Sequence, residues 1–457
     1  MKVHLIAIGG AVMHNLALAL HNLGNEVTGS DDEINSPSKE RLLERGLLPA
    51  EMGWFPEKIT EDIDLIILGM HAKQDNPELQ KAIELGLKVQ SFPEFVGECY
   101  STKVRVAIAG SHGKTTTTSM VAHILKTNNI KFDYLIGSNI EGFDTMVSIS
   151  DAPIAVLEAD EYLTSPLDRR SKFLHYHPDI AVITGIAWDH INVFPVFDDY
   201  LETFKLFIKT LPKGATLIYY KQDEHLSQMF NDDQQMINLV PYEAYKHQID
   251  STGKVVLLDE KNGRYPIHFF GKHNLENFQA AYHVCRKLGL SGEKILEAAM
   301  SFTGAGKRME LIVSKNNFVA YLDFAHAPSK LKSTVEAISN RHPNYKKIAI
   351  YELHTFSSLN SDFLEQYKNT MKMADVAIVY FNPHTLEMKK MKMIDPGEII
   401  HAFNIPDLLV CTDNQDIIHF LEGQDLNDSV LLWMSSGNFG GLDVKNISKT
   451  FAERIQN

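Results

Sequence analysis

The sequence predicts an α/β protein of three domains built on parallel sheets. Its 457 residues allow about three units, at roughly 100–200 residues per domain. Short β-branched runs alternate with longer amphipathic stretches, the pattern of parallel strands joined by crossover helices. That grammar restarts twice, near Thr102 and after Gly304-Ala305-Gly306, so the expected domains are 1–102, 103–306 and 307–457. Apolar runs at 3–8, 27–28, 65–68 and 88–90 supply the first set of strands. The second set is 104–109, 155–157, 180–184 and 216–219, closed by helices at 275–288 and 292–301. The third set is 319–323, 347–352, 376–380 and 430–433.

Composition excludes several classes of function. Hydrophobic residues make up 44% and charged residues 22%, which is enough core for each unit and rules out a disordered chain. The formal charge is −14, from 44 Lys+Arg against 58 Asp+Glu. Such a surface repels phosphate backbones and anionic lipid, leaving room only for a local basic pocket and a small anion. Cys99, Cys285 and Cys411 are far apart and odd in number, so neither a disulfide framework nor metal-ligand spacing is present. Gly9-Gly10 and His14-Asn15 interrupt the apolar start, and no run reaches the ~18 apolar residues of a membrane span. The expectation is a soluble, cytoplasmic protein.

Gly110-Ser111-His112-Gly113-Lys114-Thr115-Thr116 lies between a strand and a helix. Backbone N–H groups at such a turn wrap phosphate oxygens, and the helix N-terminus adds partial positive charge. Lys114 can reach the β- and γ-phosphates and the Thr115 hydroxyl can ligate Mg²⁺. The full phosphate-loop consensus needs glycine at 108, where this chain has Ile108, so an ordinary glycine-rich turn is the alternative.

Glu158-Ala159-Asp160-Glu161 ends the next strand at the same sheet edge, where a carboxylate can hold Mg²⁺ beside a nucleotide. A solvated acidic loop is the plain alternative. Asp189-His190 follows a further strand and offers a second metal ligand or a donor to a phosphoryl oxygen; a structural histidine is its alternative.

In the first domain, Gly9-Gly10 after a strand resembles a dinucleotide turn, yet Ala11 and His14 stand where glycines belong. Ser30-Asp31-Asp32 lies roughly 20 residues on, where an acidic side chain meets a ribose hydroxyl. Some nucleotide fits better than NAD. Gly271-Lys272-His273-Asn274-Leu275-Glu276-Asn277 opens a helix; its asparagines suit adenine, with a plain N-cap at Asn274 as the other reading.

Taken together, GSHGKTTTT (110–118), EADE (158–161), WDH (188–190), GKHNLEN (271–277), KRME (307–310) and DFAHAP (323–328) resemble the Mur ligase family. These are the ATP-dependent, amide-forming ligases of peptidoglycan synthesis. The resemblance covers nearly the whole chain and implies a Rossmann-like UDP domain, a central P-loop ATPase domain and a Rossmann-like C-terminal domain for the amine. It implies ATP on Gly110, Ser111, His112, Gly113, Lys114, Thr115 and Thr116, with Asn274 and Asn277 at adenine, Arg308 at the phosphates and Asp323 at the ribose. It implies Mg²⁺ on Thr115 and Glu158, a second ion near His190, and His326 beside the reacting phosphate. It implies a UDP-sugar on Gly9, Gly10, Ser30, Asp31 and His71. Several family members carry a carbamylated lysine shortly beyond the Asp-His motif, which makes Lys205 a candidate ligand here.

Within the branch that takes UDP-N-acetylmuramate, two amine substrates compete: L-alanine, and the recycled tripeptide L-alanyl-γ-D-glutamyl-meso-diaminopimelate. Arg169-Arg170-Ser171-Lys172-Phe173 with His175-Tyr176, and the closing SSGNFGG (435–441), resemble the recycling enzymes. Against them, Glu352-Leu353-His354-Thr355 stands where these enzymes carry a proline and an arginine, and threonine has no bidentate fork for a carboxylate. An inactive nucleotide-binding regulator on the same fold and an NAD-dependent oxidoreductase are the readings from other classes. Intact Lys114, Glu158 and His190 oppose the first, and the missing GxGxxG opposes the second.

Overall fold

The structure is a computed structural model that describes all residues except 139, 141, 231–235, 251–252, 307 and 456–457. Lys307 of the KRME segment therefore lies outside the described residues. The chain gathers into two compact units. One holds Met1–Ile186, Asp198–Glu243 and Ala280–Ser291; the other holds Ala187–Phe197, Ala244–Gln279 and Gly292–Asn457.

The first unit contains two sheets. A four-stranded parallel sheet runs Glu26–Ser30, Lys2–Ile6, Leu65–Leu68, Val89–Ser91. Its third strand is buried on both faces, which is why it reads as an unbroken apolar run. A seven-stranded sheet follows in the order Asn238–Tyr242, Thr216–Tyr220, Ile180–Ile183, Val104–Ala109, Ile154–Glu158, Asp133–Leu135, Val147–Ser148. Only the last pair is antiparallel. The register pairs Ile108 with Glu158 and Ala109 with Ile183, so three strands end side by side at the edge where ligands of parallel sheets bind.

The second unit holds a three-stranded antiparallel meander, His247–Ile249, Val255–Leu258, Arg264–Ile267. It also holds a six-stranded sheet in the order Glu310–Lys315, Phe318–Asp323, Ser429–Met434, Lys346–Leu353, Val376–Phe381, Leu409–Cys411. Only its first pair is antiparallel. Asp323 and Tyr351 both pair with Met434, which brings the loops after three strands to one edge. Trp433, Ile350, Phe318 and Phe439 fill the core beneath that edge.

All twelve strands expected from the sequence are present within about two residues at either end. The meander and several edge strands were not anticipated. All three cysteines are free, and no helix among the described residues is long and apolar enough to cross a membrane.

Candidate active site

The central strand Val104–Ala109 feeds a turn in which Gly110 has φ +124° and Gly113 φ +81°, and the helix Lys114–Thr127 follows directly. Both glycines sit where a side chain would be strained. A Cβ at Gly110 would also press on the backbone N of Thr184 at 2.8 Å, so the neighbouring strand end fixes the choice of residue. Ser111 N–H donates to the Gly185 carbonyl at 2.9 Å, and the Thr184 hydroxyl donates to the His112 carbonyl.

The acidic motif closes on this turn. Lys114 Nζ donates to the Gly110 carbonyl at 2.7 Å and to Glu161 Oε2 at 2.6 Å. Thr115 Oγ1 donates to Glu158 Oε1 at 2.7 Å, and Gly137 N–H donates to Glu158 Oε2 at 2.6 Å. Burial pulls the Lys114 ammonium down, but Glu161 and then Asp160 outweigh it, so it titrates above an ordinary lysine. A hydroxyl and a carboxylate oxygen side by side are hard donors of the kind Mg²⁺ prefers.

The segment after the acidic motif folds back on it. Lys172 N–H donates to the Tyr162 carbonyl at 2.8 Å, Leu163 bridges to Ser171, and Lys172 Nζ pairs with Asp160 Oδ2 at 2.8 Å. Arg170 forks onto Asp168 from the exposed side.

In the four-stranded sheet, Gly9 and Asp31 meet: Gly9 N–H donates to Asp31 Oδ2 at 2.7 Å, and Asp32 N–H donates to Oδ1 at 3.0 Å. Asp31 is only 8% exposed. Burial pushes its carboxyl up to about 6 despite the Gly9 N–H, and neighbouring Asp32 adds to the rise. Ser30 is buried, and its carbonyl accepts from Ala7 and Ile8. Gly10 precedes the helix Ala11–Asn22, and His71 stands exposed beyond the strand Leu65–Leu68. His14, in a glycine place, turns its Nδ1 to the Gly10 carbonyl at 2.9 Å.

In the second unit, His326 Nε2 lies 3.5 Å from Asp189 Oδ2, and Asp189 also takes the His190 N–H at 2.6 Å. His190 sits at φ +55°. The His326 carbonyl receives the buried hydroxyls of Tyr351 at 2.9 Å and Tyr367 at 3.1 Å. Arg308 lies over the Phe324 ring at 4.2 Å. Asp323 accepts from Met309 N–H and the Thr334 hydroxyl, both at 2.9 Å. Burial raises its carboxyl, but Lys330 and Arg308 more than offset this and hold it below the usual range. His273, close to that carboxylate, is pushed down to about 4 by burial.

The structure bears on two of the sequence readings. The helix begins at Lys272, so Asn274 lies inside its first turn and is no N-cap; its Nδ2 donates to the Phe270 carbonyl at 2.9 Å. Asn277, one turn on, is equally buried. Lys205 is 46% exposed and pairs with Glu202 at 3.2 Å. A carbamate needs a desolvated neutral amine, and an exposed ammonium beside a carboxylate is the opposite setting. Lys205→Ala is therefore expected to leave ADP-forming turnover within about twofold of wild type, as for an ordinary surface ion pair. A loss beyond about tenfold in steady-state rate would restore the ligand role.

Thr355 spends its side chain on a turn with Ser358, taking the Ser358 N–H at 3.0 Å. Buried Glu352 accepts from Phe439 N–H at 2.9 Å and from the Ser435 hydroxyl, tying this segment to the 435–441 turn. Sequence reasoning assigned no role to Glu161, Tyr200, Gly137, Lys172 or Asp189 paired with His326. Glu161 was within the acidic run; Tyr200 carried no local signal.

Two family models match the chain: "Mur ligase middle domain" over residues 108–285, and "Mur ligase family, catalytic domain" over residues 2–103. The UDP-N-acetylmuramate–L-alanine ligase of Clostridium botulinum is 31% identical over 382 residues, 80% of this chain and 81% of that protein. Among solved structures, UDP-N-acetylmuramate-alanine ligase from Thermotoga maritima superposes with a TM-score of 0.71 at 21% identity, over 99% of each chain. The UDP-N-acetylmuramate:L-alanyl-γ-D-glutamyl-meso-diaminopimelate ligase from Neisseria meningitidis gives a TM-score of 0.60 at 27% identity, over 66% of this chain and 98% of that one.

Proposed function

The chain belongs to the Mur ligase family of ATP-dependent, ADP-forming amide ligases, and we propose that it joins UDP-N-acetylmuramate to L-alanyl-γ-D-glutamyl-meso-diaminopimelate. The observation that carries this choice is the segment between Asp160 and Tyr176, which packs Lys172 against the acidic motif beside the phosphate loop. It bears the Arg-Ser-Lys-Phe-x-His-Tyr signature of the tripeptide-recycling branch. The 435–441 turn, braced by Glu352, supports the same choice. On this reading the reaction is cytoplasmic.

The chemistry follows from the side chains. ATP transfers its γ-phosphoryl group to the lactyl carboxylate, giving an acyl phosphate and ADP. The peptide's α-amine attacks the acyl carbon, and phosphate leaves from the tetrahedral adduct. Lys114 is held charged by Glu161 at the head of the loop, so its ammonium is in place to neutralise the transferring phosphoryl group. Gly110, Ser111, His112, Gly113, Thr115 and Thr116 are assigned to the phosphates, Asn274 and Asn277 to adenine, Asp323 to ribose and Arg308 to phosphate. Gly9, Gly10, Ser30, Asp31 and His71 are assigned to the UDP-sugar.

Thr115 and Glu158, already 2.7 Å apart, would hold Mg²⁺, with His190 near a second ion. Bound there, Mg²⁺ would supply charge neutralisation for the phosphoryl oxygens. His326, whose ring meets Asp189 and whose backbone carbonyl takes two tyrosine hydroxyls, is assigned to the reacting phosphate.

The second reading is L-alanine as amine, and it is favoured by the Clostridium relative's printed activity. ADP release with UDP-N-acetylmuramate decides between the two. The tripeptide is expected to exceed free L-alanine by at least about tenfold in kcat/KM, which is ~1.4 kcal/mol of transition-state discrimination. Equal or better use of L-alanine would give the assignment to the alanine-adding ligase.

A further inference from the structure

Tyr200 is fully buried on the helix Phe197–Lys209, and its hydroxyl touches two parts of the nucleotide site at once. It donates to Glu161 Oε1 at 2.9 Å and lies 2.7 Å from Ser111 Oγ. Because its one proton goes to the carboxylate, the Ser111 hydroxyl is the donor in the second bond. Glu161 Oε2 in turn takes Lys114 Nζ, which also reaches back to the Gly110 carbonyl. These bonds form a circuit around the phosphate loop: Ser111 to Tyr200, Tyr200 to Glu161, Glu161 to Lys114, and Lys114 to Gly110.

We propose that Tyr200 is a positioning residue, holding Glu161 so that the Lys114 ammonium and the Ser111 end of the loop stay in register for phosphoryl transfer.

A fully buried carboxylate has to be solvated by something other than water to remain ionised. The Tyr200 hydroxyl supplies that at Oε1 and leaves Oε2 to the lysine. The ring is itself clamped: Tyr200 meets Phe204 edge-on at 5.3 Å, Phe204 meets Phe173 at 5.6 Å, and Phe173 stacks on Phe207 at 4.5 Å. Phe173 belongs to the segment after the acidic motif, so the packing of that segment helps to set where the hydroxyl points. The inference rests on ATP phosphates docking at the 110–115 loop; it does not depend on which amine is used.

Tyr200→Phe keeps the ring and its packing and removes only the hydroxyl. The expected result is a kcat lower by about tenfold, the scale of one hydrogen bond to a charged group, with ADP affinity changed by less than about threefold. In a Glu161→Gln background the same substitution is expected to cost less than about twofold, because its target is already altered. Wild-type kcat in Tyr200→Phe, or the same loss in both backgrounds, overturns the inference. Should Tyr200→Phe fail to fold, a Ser111→Ala and Glu161→Gln cycle reads the same circuit: coupling beyond about threefold supports it and additivity overturns it. ADP titration calorimetry on the unmodified protein tests the premise separately. No ADP binding removes the loop assignment and the inference together, whereas ADP binding with no effect of Tyr200 removes only the inference.

Discussion

Replacing Lys114 with alanine is expected to lower ADP-forming turnover at least about a hundredfold, because one lost charge contact to a transferring phosphoryl group in a dry site is worth ~3 kcal/mol or more. The structure adds a second consequence. Lys114 is only 13% exposed and its partner Glu161 is fully buried, so the variant takes the lysine charge away from a buried carboxylate that the Tyr200 hydroxyl also contacts. Breaking such a pair from one side typically costs about 3–5 kcal/mol, so a lower melting temperature accompanies the lost activity. The sign with pH is fixed by the raised lysine: its stabilising share is complete below the ordinary lysine range and fades only as pH rises through the higher folded-state value. At neutral pH the whole effect is present. Adding Glu161→Gln to Lys114→Ala separates the two consequences, since it is expected to recover stability and leave turnover low. Calorimetric melting, and ADP release measured well below the lower melting point, check this. Near-normal turnover in a folded Lys114→Ala protein would remove the phosphate-loop assignment.

What the sequence made legible depends on how local its physics is. The strands Val104–Ala109 and Leu65–Leu68 match the sequence reading to the residue, because each ends in a buried apolar run cut off by a glycine. Asp133–Leu135, Val147–Ser148 and Leu409–Cys411 are two or three residues long and sit at or near sheet edges, too short to show any period. The meander at His247–Ile249, Val255–Leu258 and Arg264–Ile267 escaped because its outer strands are polar and largely exposed.

The same division runs through the site. Lys114, Thr115 and Glu158 were legible, since one strand–turn–helix and its neighbouring strand fix their geometry. Tyr200 reaches Ser111 and Glu161 across 89 and 39 residues of sequence, and no local pattern encodes that. The setting of Lys205 is written in the period of its helix. The buried face of its helix is Tyr200, Thr203, Phe204, Phe207 and Ile208, a helical stripe, and Lys205 falls off it.

Asp133→Ala is expected to destabilise the fold by about 3–5 kcal/mol, more than any other single change outside the phosphate loop considered above. Asp133 is fully buried and pairs at 2.9 Å with Lys103, which is 7% exposed. The usual weakness of a buried ion pair is unmet hydrogen bonding, and that is absent from this pair. Asp133 also accepts from the Ser148 hydroxyl at 2.8 Å, Ser150 N–H at 2.9 Å and the Ser150 hydroxyl at 2.8 Å. Lys103 spends its other two protons on the Ser150 carbonyl at 2.8 Å and the Ala152 carbonyl at 2.6 Å. Every donor is used, so alanine at 133 orphans an ammonium and three further donors together. Tyr100, three residues before Lys103, adds its buried hydroxyl to the Ser148 carbonyl, so the network pins the start of the central strand to the edge of its own sheet. Urea unfolding is the measurement, with the midpoint falling and the m-value unchanged. Lys103→Met on top of Asp133→Ala is expected to recover part of the loss, because it removes the unpaired charge. A single variant that unfolds within about 1 kcal/mol of wild type would show water reaching Lys103 through the 148–152 segment, and would reduce the pair to the worth of a surface bridge.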